Sequence, residues 1–291
     1  MSPEPSPHDR KLISPQAERT TSREVTRAEV GGIVDLERYR IADPDSPGSR
    51  SLVERCRAAI REDGHCLLPG FLTPDSTRTM VEEADPLLPG AWFCSRTHNV
   101  YLAPDDPGFP EGHPRRRRLT TRVGSLAHDR LPKEGLLCRL YDWDPLVRFV
   151  GAVLEKQAFY RLADPLGALS INVFTDGGGH AWHFDESEFS MTIMLQTAER
   201  GGHFECVPRI RPAEGEDYDA VGRVLDGQVD DVRRLEFEPG TLLIFGGRRS
   251  IHRVTAIRSG RPRLVAVLCY GSEPGLINSD LVRELFWGRT G

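Results

Sequence analysis

The chain has 291 residues, of which 38 are basic and 43 are acidic, so its formal net charge is −5. Nucleic-acid-binding proteins usually carry an excess of basic charge, so the balance argues against a polyanionic partner. The chain contains no run of about 18 apolar residues, which argues against a membrane-spanning helix. The first residues, MSPEPSPHDRKL, lack the apolar stretch of a secretory signal, so we expect a cytoplasmic protein.

The cysteines bear on the redox environment of the protein. Their number is far below the density of a disulfide scaffold, and none forms a Cys-x-x-Cys pair. They are therefore expected to be buried free thiols in a reducing compartment. The six positions are Cys56, Cys66, Cys94, Cys138, Cys206 and Cys269.

The composition divides the chain into a tail and one domain. Residues 1–33 are rich in proline, serine and charge and poor in apolar groups, which predicts a disordered N-terminal tail. Residues 34–291 are expected to form a single domain. Its first part, residues 50–160, is predicted to be helical, and residues 165–271 are predicted to form a β core.

Three helices are predicted in the first part. An apolar stripe indicates a helix over residues 52–62 with Ser51 as its N-cap, followed by a short strand in HCLLPGFL. Thr73-Pro74 and Asp144-Pro145 each start a further helix, because proline is favoured in the first helical turn. Residues 103–118 are predicted to be a long loop, and their run of four arginines is expected to be solvated.

After residue 164 the pattern changes to short β-type runs separated by glycine and proline turns. The runs include ALSINVFT, EFSMTIMLQ, GHFECVP, TLLIFGG, IHRVTAI and RLVAVLCY. Strands of this length and spacing predict an all-β barrel or sandwich. An acidic excursion at residues 213–231 is interpreted as either a helical lid or a surface loop.

A candidate metal site lies in this β half. In His183-Phe184-Asp185 the first and third side chains point to the same face of a strand, since the side-chain period is two. A third ligand must come from elsewhere, and His252 in a second β run is the natural candidate. Two histidines and one carboxylate form the facial triad of non-haem Fe(II) oxygenases.

A rival motif has the same spacing. His203-Phe204-Glu205 is also a histidine two residues before a carboxylate. Its glycine and proline neighbours indicate the end of a hairpin strand. Its alternative role is therefore to line the pocket or to face solvent.

A cationic side chain after His252 is a candidate for binding the distal carboxylate of 2-oxoglutarate. Arg263 is preferred, because it is predicted to lie within a strand. Arg258 is the second choice, whereas Arg261 precedes a proline in the turn. Asn172, on an earlier strand, is either a hydrogen-bond partner of 2-oxoglutarate or a structural amide.

Taken together, these stretches resemble a known family, the free-amino-acid radical halogenases of the BesD type and their related hydroxylases. The resemblance covers residues from about 137 to 288. It rests on RLYDWDPLVRFVGAVL, ADPLGALSINVF, HAWHFDESEFSMTIMLQ, GGHFECVPRIR, PGTLLIFGGRRSIHRVTAIRSGRPRLVAVLCY and FWGR. It implies a mainly β protein with flanking helices and a double-stranded β-helix core. It also implies Fe(II) as the cofactor, with 2-oxoglutarate and O₂ as co-substrates. The implied substrate is a small molecule, and an amino acid with a basic side chain is the leading candidate.

The resemblance also implies roles for particular residues. His183 and His252 match the iron-binding histidines. His180 and Glu186 match substrate-contacting positions, and Trp287 matches an aromatic residue that closes over the substrate. Arg122 falls near the position that holds the substrate carboxylate. Three of them have a structural alternative: His180 as a loop histidine, Trp287 as an aromatic residue that packs the C-terminus, and Arg122 as the partner of a nearby acid such as Asp129.

In the resembling halogenases, glycine stands at the position of Asp185 and chloride fills the vacant coordination site. Since the carboxylate is present here, the sequence favours hydroxylation. Two other functions stay open. One is a hydroxylase of a peptide, protein or carrier-bound substrate, and the other is a metal-binding cupin enzyme that does not use 2-oxoglutarate.

Overall fold

The computed structural model describes residues 30–187, 189–236, 238–258 and 260–291. Most of the predicted tail, residues 1–29, lies outside the described residues. The prediction of disorder is wrong for the last part of that tail, because Val30 and Ile33 are fully buried in the core. The carbonyl of Ile33 accepts a hydrogen bond from the backbone N–H of Thr73 at 3.0 Å. Ordered packing therefore extends a few residues N-terminal to the predicted start.

The regular elements alternate between helices and strands in the first half and are mainly strands in the second. The helices are α1 (Pro47–Asp63), α2 (Pro74–Ala84), α3 (Leu136–Asp142), α4 (Asp144–Val153), α5 (Tyr218–Leu225) and α6 (Asp280–Trp287). The strands are β1 (His65–Leu68), β2 (Trp92–His98), β3 (Leu119–Leu126), β4 (Tyr160–Arg161), β5 (Leu169–Phe174), β6 (His180–His183), β7 (Phe189–Gln196), β8 (Phe204–Val207), β9 (Arg233–Leu235), β10 (Leu242–Phe245), β11 (Ile251–Val254) and β12 (Arg263–Gly271).

The predicted helix starts are confirmed at two of three places. Helix α2 has Thr73 as its N-cap with a proline in the first turn, and α4 begins at Asp144. Helix α1 begins earlier than predicted, because the hydroxyl of Ser46, not Ser51, accepts the hydrogen bond from Ser49 N. Pro47 then occupies the first turn, where its missing N–H costs nothing.

The predicted helical half also contains two strands, which is a correction. Strands β2 and β3 form an antiparallel ribbon and extend the larger sheet through the pairing of β3 with β5. Buried and exposed positions do not alternate regularly along these two strands, so their sequence lacks the clear β pattern of the later strands.

Two sheets make the β core. The eight-stranded sheet has the order β1-β10-β7-β12-β5-β3-β2, with β4 paired to β12, and the four-stranded sheet has the order β6-β11-β8-β9. All pairings are antiparallel. With the helices outside, this is the mainly β fold with flanking helices that the sequence predicted, a double-stranded β-helix.

Strand β12 shows how the sheet separates core from cavity. Leu264, Ala266 and Leu268 pack into the main hydrophobic core beneath the helices. Arg263, Val265, Val267 and Cys269 point the other way and line a cavity between the sheets. The alternation follows from the two-residue period of a strand. One strand therefore serves both the core and the cavity.

The arginine run and the acidic excursion pack against each other, which corrects the prediction of a solvated run. Arg117 forms an ion pair with Asp226 at 2.5 Å and donates to the carbonyl of Leu225 at the end of α5. Arg116 pairs with Asp105 at 3.2 Å. The excursion is in part the helix α5, one of the two alternatives.

All six cysteines are buried with free thiols, as predicted. Burial raises the pKa of the Cys269 thiol to about 11, so this residue is neutral at pH 7. In the part of the chain that the structure describes, no helix combines the length and apolar character needed to cross a bilayer.

Candidate metal centre and its cavity

Three predicted ligands converge between the two sheets. His183 ends β6 and lies opposite His252 on β11 in the antiparallel register. Asp185 Oδ1 lies 3.6 Å from His183 Nε2 and 3.4 Å from His252 Nε2. Ligands about 2.1 Å from one ion and at right angles to each other lie about 3.0 Å apart, so the group fits an octahedral divalent metal with little adjustment. Among the described residues, this is the group found with metal-binding geometry.

Backbone contacts orient both imidazoles. Nδ1 of His183 lies 2.9 Å from the carbonyl of Ala181, and Nδ1 of His252 lies 3.0 Å from the carbonyl of Ser250. A carbonyl only accepts, so each Nδ1 carries the proton and donates it. In the neutral imidazole that binds a metal, this leaves the lone pair on Nε2, and both Nε2 atoms face Asp185.

The protonation states also suit a cation. Burial is the largest cause that lowers the pKa of His183, to about 4, so its imidazole is neutral at pH 7. Burial alone would raise the pKa of the Asp185 carboxyl, but His252 and His183 outweigh it and hold that pKa well below its usual range. The neutral imidazole of His183 and the ionised carboxylate of Asp185 are the forms in which these groups bind a divalent metal.

A glycine in the β10–β11 turn makes room for the carboxylate. Asp185 N donates to the carbonyl of Gly247 at 3.1 Å. A Cβ on Gly247 would lie 2.0 Å from Asp185 Oδ2. Any side chain at this position would therefore displace the carboxylate, and sequence reasoning did not single out this glycine.

The rival motif is not part of this site. Glu205 on β8 forms an ion pair with Arg253 at 2.7 Å. The side chain of His203 contacts Arg234. Since Arg253 and His252 are adjacent on β11, their side chains lie on opposite faces of the sheet. Glu205 is therefore on the outer face.

The structure separates the candidate arginines. Arg263 is 3% exposed and lines the cavity with its guanidinium over the ring of Phe174. Burial lowers its pKa to about 9, and no acidic side chain contributes to that shift. Arg258 is exposed and lies outside the cavity lining, which contradicts its prediction as the second choice for binding 2-oxoglutarate. Arg261 is exposed as well, and its Nε donates to the carbonyl of Thr197.

The cavity wall is more polar than a protein core. Strands β5, β7 and β12 contribute hydroxyl, amide and thiol side chains that the alternation turns inward. Asn172 is among them, and its Oδ1 accepts a hydrogen bond from Ser125 Oγ at 3.4 Å. Sequence reasoning missed the others, although the alternation on each strand was a usable signal. They are Ser170, Ser190, Thr192 and Cys269.

Three of the predicted substrate residues line the cavity: His180, Glu186 and Trp287. The ring of His180 stacks on that of His183, with centroids 3.6 Å apart. Burial holds the pKa of His180 well below its usual value, so it is neutral. In the described part of the chain, His180 Nε2, Trp287 Nε1 and Thr192 Oγ1 are buried without a hydrogen-bond partner. Since buried polar atoms normally have partners, these atoms mark places for a ligand.

The fourth predicted substrate residue, Arg122, does not lie where the sequence analysis predicted it, beside the substrate. Its side chain is exposed and does not line the cavity. Ser125 on the same strand pairs with the cavity-lining Asn172, so the odd-numbered positions of β3 face inward and Arg122 faces outward. Its structural alternative is not realised either, because Asp129 pairs with Arg289 at 2.7 Å.

A buried network that the sequence did not reveal fixes the C-terminal wall of the cavity. The fully buried Asp164 accepts hydrogen bonds from Asn278 N at 3.0 Å and Nδ2 at 2.9 Å. Glu186 accepts from the backbone N–H of Ser279 at 2.9 Å. These contacts set the start of α6, which carries Trp287. Ser279, the N-cap of this helix, thus ties the wall to the loop that carries Asp185 and Glu186.

Comparison with solved structures gives the same fold at low sequence identity. The epimerase SnoN in complex with Fe³⁺, alpha ketoglutarate and nogalamycin RO has a TM-score of 0.53 and 16% identity, over 77% of this chain and 84% of that one. HygX from Streptomyces hygroscopicus, with nickel, 2-oxoglutarate and hygromycin B bound, has a TM-score of 0.51 and 13% identity, over 76% and 87%. The carbocyclase SnoK has a TM-score of 0.52 and 16% identity, over 80% and 96%.

The sequence comparisons identify the family more directly. No curated protein sequence matches the chain. The family model named halogenase D, however, matches residues 49–284. This range includes nearly all of α1, both sheets, the three metal-ligand candidates and most of α6. Because the match covers most of its length, the chain belongs to the halogenase D family of enzymes.

Proposed function

We propose that this chain is an Fe(II)- and 2-oxoglutarate-dependent dioxygenase that hydroxylates an unactivated C–H of a small molecule. A free amino acid with a basic side chain is the leading candidate. The observation that carries the proposal is the Asp185 carboxylate beside His183 and His252 in a cavity that also holds Arg263. SnoN and HygX have the same fold, and each was solved with a metal and 2-oxoglutarate bound. These two structures support the proposal.

The chain's own residues prepare the metal site. His183, Asp185 and His252 would hold the iron, and the hydrogen bonds from the Nδ1 atoms of the two histidines would keep their imidazoles in the required tautomer. The iron and 2-oxoglutarate, when bound, activate O₂ and supply the oxidant that converts C–H to C–OH, with succinate and CO₂ as co-products.

Arg263 is proposed to bind the distal carboxylate of 2-oxoglutarate. A buried guanidinium without an acidic partner is costly, and a carboxylate held in a bidentate pair offsets that cost. Asn172, two residues before Phe174 on the neighbouring strand, is proposed to donate its amide to the same molecule. The apolar groups around them, including Val265 and Phe204, exclude water from this end of the cavity.

The substrate is proposed to bind against His180, Glu186 and Trp287. Apart from the metal ligand Asp185, Glu186 is the carboxylate on the described cavity lining, so it is the partner for an ammonium group. Neutral His180 and the indole N–H of Trp287 each offer an unused hydrogen-bonding atom. Together they position one C–H beside the metal, which is the protein's main contribution to the rate.

Asp185 makes hydroxylation the favoured outcome within a family named for halogenation. The carboxylate takes the coordination position that a halide would need, and its charge disfavours an anionic neighbour on the same metal. Gly247 gives this carboxylate its space, so the loop is built around Asp185.

The test is a product analysis with the reconstituted protein. Common L-amino acids are incubated with Fe(II), 2-oxoglutarate and isotopically labelled O₂ in high chloride, and succinate and products are measured by mass spectrometry. The proposal expects succinate and a product that gains one labelled oxygen. A chlorinated product contradicts it. Absence of succinate favours the cupin alternative, and activity on peptides or carrier-bound substrates alone favours a hydroxylase of those.

The control is Asp185→Gly. This change opens the coordination position without adding the surrounding groups that hold a halide, and such groups matter about as much as the ligands themselves. We therefore expect mostly lost activity, with minor chlorination at best. Efficient chlorination by Asp185→Gly would show that the cavity is already built for a halide.

A further inference from the structure

A second pocket lies beside the metal cavity. This outer pocket is bounded by the end of β2, by residues 102–105 and by α6, and it contains the side chains of Arg96 and Arg118. Leu102 lines both the outer pocket and the metal cavity. On α6, Leu285 faces the outer pocket and Val282 faces the cavity. Leu102 and this helix therefore form the wall between the two spaces.

The backbone of Leu102 is held in an unusual conformation. Its φ is +51°, in the left-handed region that non-glycine residues rarely adopt. The fully buried Asn99 holds the turn: its Oδ1 accepts from the N–H groups of Tyr101 and Ala103, and its Nδ2 donates to the carbonyls of Ala103 and Arg115. Strain that the surroundings enforce in this way is concentrated at functional positions. Here it aims an apolar side chain at the junction of two pockets.

The charges of the two spaces differ. On the described lining of the metal cavity, Arg263 is the one guanidinium, and the proposed function commits it to 2-oxoglutarate. Arg96 has no ion-pair partner within the described residues. Arg118 lies 3.9 Å from Asp105, which Arg116 already binds at 3.2 Å. The carboxylates of Asp105 and Glu284 also line the outer pocket, so with Arg116 on Asp105 the local balance is three guanidinium groups to two carboxylates, an excess of one positive charge.

A zwitterionic substrate needs a partner for each charge, since burying an unpaired ion is expensive. Glu186 can meet an ammonium group, but Arg122 lies on the outer face of β3 and cannot meet the carboxylate. Arg248 donates to the backbone carbonyl of Glu186 at 3.4 Å but does not line the cavity, whereas Arg96 and Arg118 line a pocket that shares Leu102 with it. Leu102 stands between them and the metal.

We propose that the outer pocket is the distal part of the substrate site, in which Arg96 and Arg118 bind the carboxylate of an amino-acid substrate that passes Leu102. Leu102 then sets the distance between the bound carboxylate and the metal. This assignment rests on the proposed function for the identity of the substrate. The continuity and the charge of the two pockets do not depend on it.

The first experiment uses Cys269, which lines the metal cavity, as a reporter that needs no activity. Iodoacetamide and iodoacetate have nearly the same shape and differ in charge, and peptide mass spectrometry measures their reaction at each cysteine. Leu102→Gly suits the positive φ, so it keeps the turn while it removes the wall. Its alkylation at Cys269 is expected to be about tenfold faster than in the wild type, because access limits the reaction of a buried thiol.

In the Leu102→Gly protein, Arg96→Ala is expected to lower the iodoacetate rate about threefold relative to the iodoacetamide rate, since a nearby cation concentrates anions. Cys138, a buried residue of α3, reports any general loosening in the same sample. An unchanged rate at Cys269 in Leu102→Gly overturns the continuity of the pockets. An unchanged reagent ratio in Arg96→Ala overturns the anion assignment.

The second experiment compares L-amino acids with their α-carboxamides, which lack the carboxylate charge. The wild type is expected to favour the acid about tenfold in kcat/KM, and Arg96→Ala is expected to remove that preference through KM, with kcat little changed. Arg122→Ala, on the outer face of the same ribbon, is the matched control and should keep the preference. If Arg96→Ala keeps it too, the carboxylate does not bind in the outer pocket. If no amino acid yields succinate, the proposed substrate class is wrong, and the alkylation ratios still decide whether the pocket takes an anion.

Discussion

The inner and outer faces of the four-stranded sheet carry the same short motif with opposite results. On the inner side, His183 and Asp185 meet His252 between the sheets. On the outer side, Glu205 pairs with an arginine, although His203 precedes it at the same spacing. A histidine two residues before a carboxylate is thus not sufficient to define a metal site.

The register of β11 explains the difference. His252 lies opposite His183 on one neighbouring strand and opposite Cys206 on the other, whereas Arg253 lies opposite Glu205. Successive side chains on a strand point to opposite faces, so the side chain of the residue next to each ligand on the strand must point away from the site. The arginines differ in the same way: Arg263 enters the cavity from β12, and Arg258 stays on the surface before it.

The largest expected effect tests this comparison directly. His183→Ala or His252→Ala should lower succinate formation at least about 100-fold and weaken Fe(II) binding, because loss of a supporting group alone costs about 10–100-fold. His203→Ala and Glu205→Ala are the matched outer variants and should stay near wild type. Anaerobic calorimetry with Fe(II) measures the binding. Loss of activity in the outer variants with tolerance at His183 would reverse the assignment.

The arginine pair should show a smaller effect. Arg263→Ala is expected to raise the KM for 2-oxoglutarate about tenfold or more, since a charge-assisted hydrogen bond contributes roughly 1.5–3 kcal/mol. Arg258→Ala removes the same charge from the surface and should leave that KM unchanged. Initial rates of succinate formation over a range of 2-oxoglutarate concentrations measure both. An effect of Arg258→Ala alone would move the role to the surface arginine.

Arg263 should also reveal a cost to stability. Without 2-oxoglutarate its buried charge has no acidic partner, so Arg263→Leu is expected to raise the free energy of unfolding by about 1 kcal/mol. Added 2-oxoglutarate should raise the melting temperature of the metal-loaded wild type but not of this variant. Denaturant unfolding and thermal melts of both proteins check this. A less stable Arg263→Leu protein would mean that the guanidinium is already well satisfied by the fold.

The smallest effect belongs to the outer ion pair. A double-mutant cycle of Arg253→Ala and Glu205→Ala should give a coupling energy of about 0.2–1 kcal/mol, as for other solvent-accessible pairs. The coupling should fall at high salt, because exposed charges are screened. Urea unfolding at two salt concentrations measures it. A coupling of several kcal/mol would indicate that the outer face is less exposed to solvent than its geometry indicates.

Much of the fold was predictable where local signals were strong. Thr73-Pro74 and Asp144-Pro145 start helices through capping and a fixed proline φ, and the β-branched runs after residue 164 form strands. Strands β2 and β3 were missed, since their exposed and buried positions do not alternate cleanly. Helix α1 was placed too late, because Ser51 and Ser46 look equally good as caps in sequence.

Within the site, spacing and residue type were enough to nominate His183, Asp185, His252 and Arg263, because a metal site and a carboxylate site each need particular chemical groups. Arg122 was misassigned, since sequence does not reveal which face of β3 an odd or even position takes. The positions of Gly247, Asn99 and Leu102 became meaningful only in three dimensions, where a missing Cβ, a buried amide and a positive φ could be seen.

The sequence by itself determined which chemistry is available: two histidines, a carboxylate two residues after the first of them, an arginine in a strand, and the order of strands that carries them. The tertiary structure alone decided which of two equally spaced histidine–carboxylate motifs faces inward, which arginine is buried, and that Leu102 divides two pockets. Local sequence sets the conformation of each strand, whereas the face that it turns to the cavity depends on its register with strands far away in the chain.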